Sequence, residues 1–151
     1  MSRESLEREL VIAATPAEVW EKLIDVPTVA AWLPFLHTIE EQEPLSSYTG
    51  VLEDSVGPFS MKADLLITVV EVDEPRSITV KAAGEDRSVR SRITIDAAVY
   101  LNDRDDGSTD VRISGTYEVT GKVATLGAGL IRSKARKMID RFCVAAEEGL
   151  S

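Results

Sequence analysis

The stretch Lys122–Glu148, KVATLGAGLIRSKARKMIDRFCVAAEE, is the longest helical pattern in the chain. Val123, Leu126, Leu130, Ile131, Ala135, Met138, Ile139, Phe142 and Ala146 recur at spacings of three and four, which lays an apolar stripe along one helix face. Strand patterns precede it for some seventy residues, and no other helical segment is long enough to cover a sheet. A meander of strands has one apolar face that something must bury. The reading is an α+β fold in which a curved antiparallel sheet of six to seven strands wraps this helix. A twisted concave surface and a cylinder do not mate perfectly, and the space left between them can hold an apolar ligand.

The segments before the helix fit that reading. From Phe59 the odd positions Phe59, Met61, Ala63, Leu65 and Ile67 are apolar, while Ser60, Lys62 and Asp64 alternate with them, the period of a half-buried strand. The alternation blurs at Val69, Val70 and Val72, which predicts a bulge or a strand buried on both faces. Strands are also predicted at Leu6–Ala13, Tyr48–Val56, Ile78–Ala82, Val89–Leu101 and Val111–Val119, with Asp105-Asp-Gly107 in a hairpin loop. Thr15-Pro16-Ala17-Glu18 is a capping box with proline at the first helical position, and it starts a short helix through Val19, Trp20, Leu23 and Ile24. A second short helix, about Thr28–Trp32, stops before Pro34. The chain contains no repeat or linker, so residues 1–151 are expected to form a single domain.

Composition narrows the chemistry. The 151 residues are 44% hydrophobic and 28% charged, with a formal net charge of −9 that disfavours phosphate-backbone binding and hence nucleic acid. One histidine, His37, and one cysteine, Cys143, leave little for a His-based triad and no cluster for a zinc site, so no metal and no cofactor are expected. The lone cysteine forms no internal disulfide, and Met1–Leu10 is densely charged with no signal-peptide segment, which points to the cytoplasm. Charge is uneven. Residues 122–151 hold six cations against three anions, and residues 1–121 hold 11 cations against 23 anions. The basic helix face could meet an anionic membrane surface or a partner enzyme, pair with the acidic strands, or simply be solvated.

Several residues are candidates for lining the space. Trp32, Phe35 and Leu36 flank Pro34 and form either a gate at its mouth or a plug in the core. Phe59, Met61, Ile95, Val99 and Tyr117 share the inward parity and either line a pocket or fill the core. Leu126 and Leu130 add the helix side. A buried Tyr117 phenol needs a hydrogen-bond partner, from within the protein or from a ligand oxygen, with the internal partner the default. Gly115 marks a bend in its strand or a close approach by a helix or ligand, with the bend preferred. Gly127 and Gly129 either let the helix approach the sheet or loosen its start, and they lack the full glycine fingerprint of a nucleotide loop.

The chain resembles a known group at Thr15-Pro16-Ala17-Glu18-Val19-Trp20, Asp25, Leu33-Pro34, Glu40, Val56-Gly57-Pro58, Val72-Asp73 and Pro75. The more specific stretches are Gly107-Ser-Thr109, Tyr117 and Gly121-Lys-Val-Ala-Thr-Leu-Gly127, running on to Leu130-Ile131, Ala135 and Phe142. The order of elements is similar to the helix-grip fold of the START, Bet v 1-like and polyketide-cyclase-like (SRPBCC) superfamily. Within it the chain resembles the CoxG family, the G-subunit proteins of carbon monoxide dehydrogenase. The resemblance implies a non-catalytic accessory factor or carrier that holds a lipid or an isoprenoid quinone. It would be cytoplasmic or peripheral at the inner face of the membrane. A cyclase- or dehydrase-like enzyme on the same fold and a ligand-free docking adaptor are the alternatives. Two or more convergent ionisable groups in the cavity would favour the enzyme, and a collapsed cavity the adaptor.

Overall fold

The computed structural model describes residues 3–151. The chain runs β1 (Glu4–Ile12), α1 (Pro16–Leu23), α2 (Val26–Ala30), β2 (Leu36–Glu43), β3 (Ser47–Val56), β4 (Phe59–Asp73), β5 (Ser77–Asp86), β6 (Ser91–Asp103) and β7 (Thr109–Gly121), then a 3₁₀ turn (Val123–Leu126) and α3 (Ala128–Leu150). The seven strands form one sheet in the order β1-β7-β6-β5-β4-β3-β2, antiparallel throughout, with β1 and β2 at its edges.

Local chemistry sets the short elements. Thr15 Oγ1 accepts from the Glu18 amide at 3.3 Å, and the Glu18 carboxylate accepts from the Thr15 amide at 3.3 Å. This closes the capping box that starts α1, whose Val19, Trp20 and Leu23 are buried. Pro27 lies in the first turn of α2, where its missing amide would be unbonded anyway. The buried Thr109 hydroxyl donates to Ala14 O at 2.7 Å and ties the start of β7 to the segment after β1.

In β4, buried Met61, Ala63, Leu65 and Ile67 alternate with exposed Lys62, Asp64, Leu66 and Thr68. The blurred end of this strand is a bulge. The register with β5 shifts between Val69 and Glu71, and Val70 is 60% exposed, so the alternative of burial on both faces is overturned.

The last helix begins later than its apolar periodicity predicts. Lys122 is followed by a 3₁₀ turn, and Gly127 at φ +95° breaks the path before α3 starts at Ala128. The turn is pinned from the sheet: the Val123 amide donates to Ser91 Oγ at 2.8 Å, and Ser91 Oγ donates to Val89 O at 3.0 Å. Space opens, rather than closes, at the helix start, since a Cβ at Gly127 or Gly129 would meet nothing within 4 Å.

Nearby, Asp86 is buried in the β5–β6 turn. Burial disfavours its charge, but hydrogen bonds from the Ser88 hydroxyl and from the Lys62, Ser88 and Val89 amides outweigh that. They hold its carboxyl below the ordinary range.

Two apolar clusters occupy the inner face. The first joins Leu10, Ile12, Trp20, Val111, Cys143 and Leu150, so it binds β1, α1 and β7 to the C-terminal half of α3. The second joins Tyr48, Leu52, Met61, Ala63, Leu65 and Val123 across β3, β4 and the 3₁₀ turn.

Candidate functional site

The strand register lays out the face under α3 as rows. Glu4, Tyr117, Ile95, Ala82 and Ile67 stand side by side across β1, β7, β6, β5 and β4. The next row is Leu6, Gly115, Ala97, Val80 and Val69. Ion pairs confirm that this parity faces the helix. Arg132 of α3 meets Glu4 at 2.9 Å, Asp140 of α3 meets Arg8 of β1 at 3.1 Å, and Lys134 of α3 meets Asp54 of β3 at 3.1 Å. The N-terminal half of α3 is thus tethered toward β1 on one side and β3 on the other.

Between those tethers the packing is incomplete. Leu6, Ile95, Ala97 and Tyr117 of the sheet belong to neither cluster and are only half-buried. Ile131, Ala135 and Met138 of α3 are likewise half-buried outside both clusters, and Leu130 is 43% exposed. A Cβ on Gly115 would meet only Asp96 O of its own sheet, at 3.4 Å, with no helix atom within 4 Å. Gly115 pairs without interruption to Leu6 and Ala97, so its ladder carries no bulge, and the missing side chain leaves room above the sheet. Interiors are normally packed to crystal density, so inward apolar side chains left half-exposed mark a region where sheet and helix do not fully cover one another.

The candidate residues fall in different places. Ile95 and Tyr117 stand at the centre of this incompletely covered region, with the Tyr117 hydroxyl itself turned away from solvent. Phe35, Leu36, Phe59 and Leu126 pack against the second cluster and Met61 is inside it. Val99 packs against the first cluster, as does Trp32, whose ring meets Phe142 edge-on at 6.1 Å between centroids. Trp32 also lies over Gly149, where a Cβ would come within 2.3 Å of the ring. Ala97, Gly115, Leu6, Ile131 and Met138 join the candidate set only in the structure. The sequence signal for Ala97 and Gly115 is small residues on inward parity in two adjacent strands, and that for Ile131 and Met138 is the apolar stripe of the helix.

Polar groups are few here. The hydrogen bond from Arg132 holds the Glu4 carboxyl below the ordinary range. Burial, followed by the Glu4 charge, pushes the Tyr117 phenol up. The expected internal partner for Tyr117 is not found among the described residues: its hydroxyl is shielded from solvent and bonds to none of them. Burial likewise raises Cys143, which packs in the first cluster as an inert thiol. His37 is exposed, with Nε2 at 3.1 Å from Glu53 O. The described residues hold no group of three or more His, Cys, Asp or Glu placed to bind a metal, and no helix among them is long and apolar enough to cross a membrane.

A depression of about 410 Å³ lies over the same strands, walled mainly by outward residues such as Ser5, Glu7, Asp96, Ala98, Ser114 and Thr116 and bordered also by Leu6, Ala97 and Gly115 of the inner row. Its lining mixes small polar and apolar side chains, and it is broadly open to solvent.

A sheet of this order, two short helices after the first strand and a long C-terminal helix across the concave face define a helix-grip protein of the START and Bet v 1-like class. Solved structures share the fold. A conserved protein from Geobacillus kaustophilus superposes with a TM-score of 0.83 at 20% identity, over 97% of this chain and 95% of that one. A START superfamily protein from Mycobacterium smegmatis gives 0.70 at 12% identity, over 97% and 96%. The Zhui aromatase/cyclase from Streptomyces sp. R1128 gives 0.66 at 16% identity, over 99% and 92%. The sequence model of the CoxG family, the G subunit of carbon monoxide dehydrogenase, matches residues 9–151, and the chain belongs to that family. No protein of curated function matches it significantly.

Proposed function

We propose that this protein binds a hydrophobic small molecule, a lipid or an isoprenoid quinone, in the hollow between the sheet and the N-terminal half of α3, and acts as a non-catalytic carrier or accessory factor. The observation that carries this reading is the set of inward, half-exposed apolar residues outside both clusters: Ile95, Ala97 and Tyr117 facing Ile131, Ala135 and Met138. Covering such surface yields roughly 25 cal/mol per Å² before the cost of ordering the ligand. Membership of the CoxG family supports an accessory role beside a partner enzyme. An enzyme on this fold would need ionisable groups free to converge on substrate. Near the hollow, Glu4 and Arg132 are already engaged with each other, and Arg8 is engaged with Asp140. Transfer to a partner or membrane surface would use the solvent-facing cations of α3, Arg136, Lys137 and Arg141.

Native mass spectrometry of the protein purified from its own host tests the reading. An apolar molecule should be retained, and its occupancy should fall about tenfold in Ile95→Trp, which fills the hollow, a loss of ~1.4 kcal/mol in affinity. Equal retention by both proteins would place any ligand elsewhere, and a bare wild-type protein that also ignores added lipid would remove the carrier role.

A further inference from the structure

We propose that Tyr117 is the polar anchor of the hollow and that the bound molecule presents an uncharged acceptor oxygen, a carbonyl, to its hydroxyl. This rests on the carrier reading above and adds what it leaves open, the chemistry and orientation of the ligand's head.

The argument starts from two tyrosines on the inner face. Tyr48 is 1% exposed, and its hydroxyl accepts from the Leu45 amide at 2.9 Å. Tyr117 Oη is also screened from water and has no partner among the described residues, so a ligand oxygen reaches it only when the N-terminal half of α3 shifts away from the sheet. Leaving a buried hydroxyl unpaired costs about 1–3 kcal/mol. Phenylalanine would fill the same volume without that cost, so the hydroxyl is explained by a partner that comes and goes. Burial and the neighbouring Glu4 charge both favour the protonated phenol, so it meets a ligand as a donor.

The surroundings decide the head group's charge. Arg132, the nearest cation on α3 with a hydrogen bond into this row, is committed to Glu4 at 2.9 Å. A carboxylate head would have to displace Glu4 or sit beside it, and the Glu4 charge acts on the Tyr117 hydroxyl more strongly than that of either nearby cation, Arg132 or Arg136. An uncharged carbonyl meets no such opposition. Across the sheet from Tyr117 the row continues as Ile95 and Ala82, and the next row offers Gly115 and Ala97. These are apolar, so the hydroxyl is a single-point anchor. The carbonyl therefore lies at the β1–β7 side, beside the Glu4–Arg132 pair, and the hydrocarbon body runs inward over Ala97 and Gly115.

The test uses the full chain loaded with the fluorescent apolar probe N-phenyl-naphthylamine. Methyl heptyl ketone, nonane and nonanoate compete for it in the wild-type protein and in Tyr117→Phe. In the wild type the ketone should displace the probe at about tenfold lower concentration than the alkane, the value of one net hydrogen bond, and the carboxylate should do no better than the alkane. In Tyr117→Phe the ketone's advantage should fall to within about twofold, with displacement by the alkane unchanged. The Tm of Tyr117→Phe should be equal to or above that of the wild type, since no internal bond is lost. A ketone no better than the alkane, an advantage that survives Tyr117→Phe, or a lowered Tm each overturns the anchor while leaving the hollow intact. A protein that never takes up the probe overturns the carrier reading itself, and the anchor with it.

Discussion

The two halves of α3 belong to one helix and do different jobs. Its C-terminal half carries Cys143, Ala146 and Leu150, all buried, and Gly149 lets the Trp32 ring sit against the backbone. That half is core. The N-terminal half begins after Gly127 with no side-chain cap, leaves Leu130 exposed, and presents Ile131, Ala135 and Met138 to a face they do not fill. That half is a wall, held by the ion pairs of Arg132 and Lys134. Exposed pairs of this kind each contribute no more than about 1 kcal/mol, so this half is held more weakly than the packed C-terminal half. A single helix thus combines a fully packed end that stabilises the fold with a less tightly packed end, where the proposed ligand would sit.

The sharpest break of that contrast is a pair of truncations. Leu150→Ala should cost about 3 kcal/mol in urea denaturation, because it opens a cavity in a packed cluster. Ile131→Ala should cost less than about 1 kcal/mol, because its side chain is only half removed from water. Similar losses would mean that both ends of the helix are core. The glycines give a second pair with opposite signs. Gly149→Ala drives a methyl group into the Trp32 ring and should destabilise by about 2 kcal/mol. Gly129→Ala meets open space within a helix and should stabilise by about 0.5–1 kcal/mol, read by the same denaturation.

The smallest effect is a pH dependence. Arg132 keeps the Glu4 carboxyl below its ordinary range, so the pair's contribution is complete above the unfolded carboxylate pKa and is lost as pH falls through the lowered folded value. Glu4→Gln should reduce the acid-side slope of Tm and leave the neutral and alkaline values nearly unchanged. An unaltered acid slope would mean that the tether contributes nothing.

Much of the fold was legible because it rests on local periodicity. The capping box, the alternation of β4 and the amphipathic stripe of α3 are written in residues a few positions apart. The break at Gly127 was harder to read, since apolar spacing runs through it and only a positive φ separates turn from helix. The candidate site was legible in part. Parity placed Ile95 and Tyr117 on the inner face but could not separate them from Met61, which has the same parity and lies inside a cluster. Trp32 stood beside Phe35 in sequence, yet the two rings pack against different clusters. Proximity along the chain says nothing about which distant strand a side chain will meet.

The sequence by itself determined most of the order of elements, the alternating faces of the regular strands and the family, because these depend on spacing and on residue types; it left the 3₁₀ turn and the bounds of β2 unread. Only the tertiary structure decided that Tyr117 lacks a partner, that Gly115 has empty space above it and that the helix is packed at one end alone. Those are properties of distances between segments far apart in the chain, fixed by how a curved sheet and a straight helix fail to match.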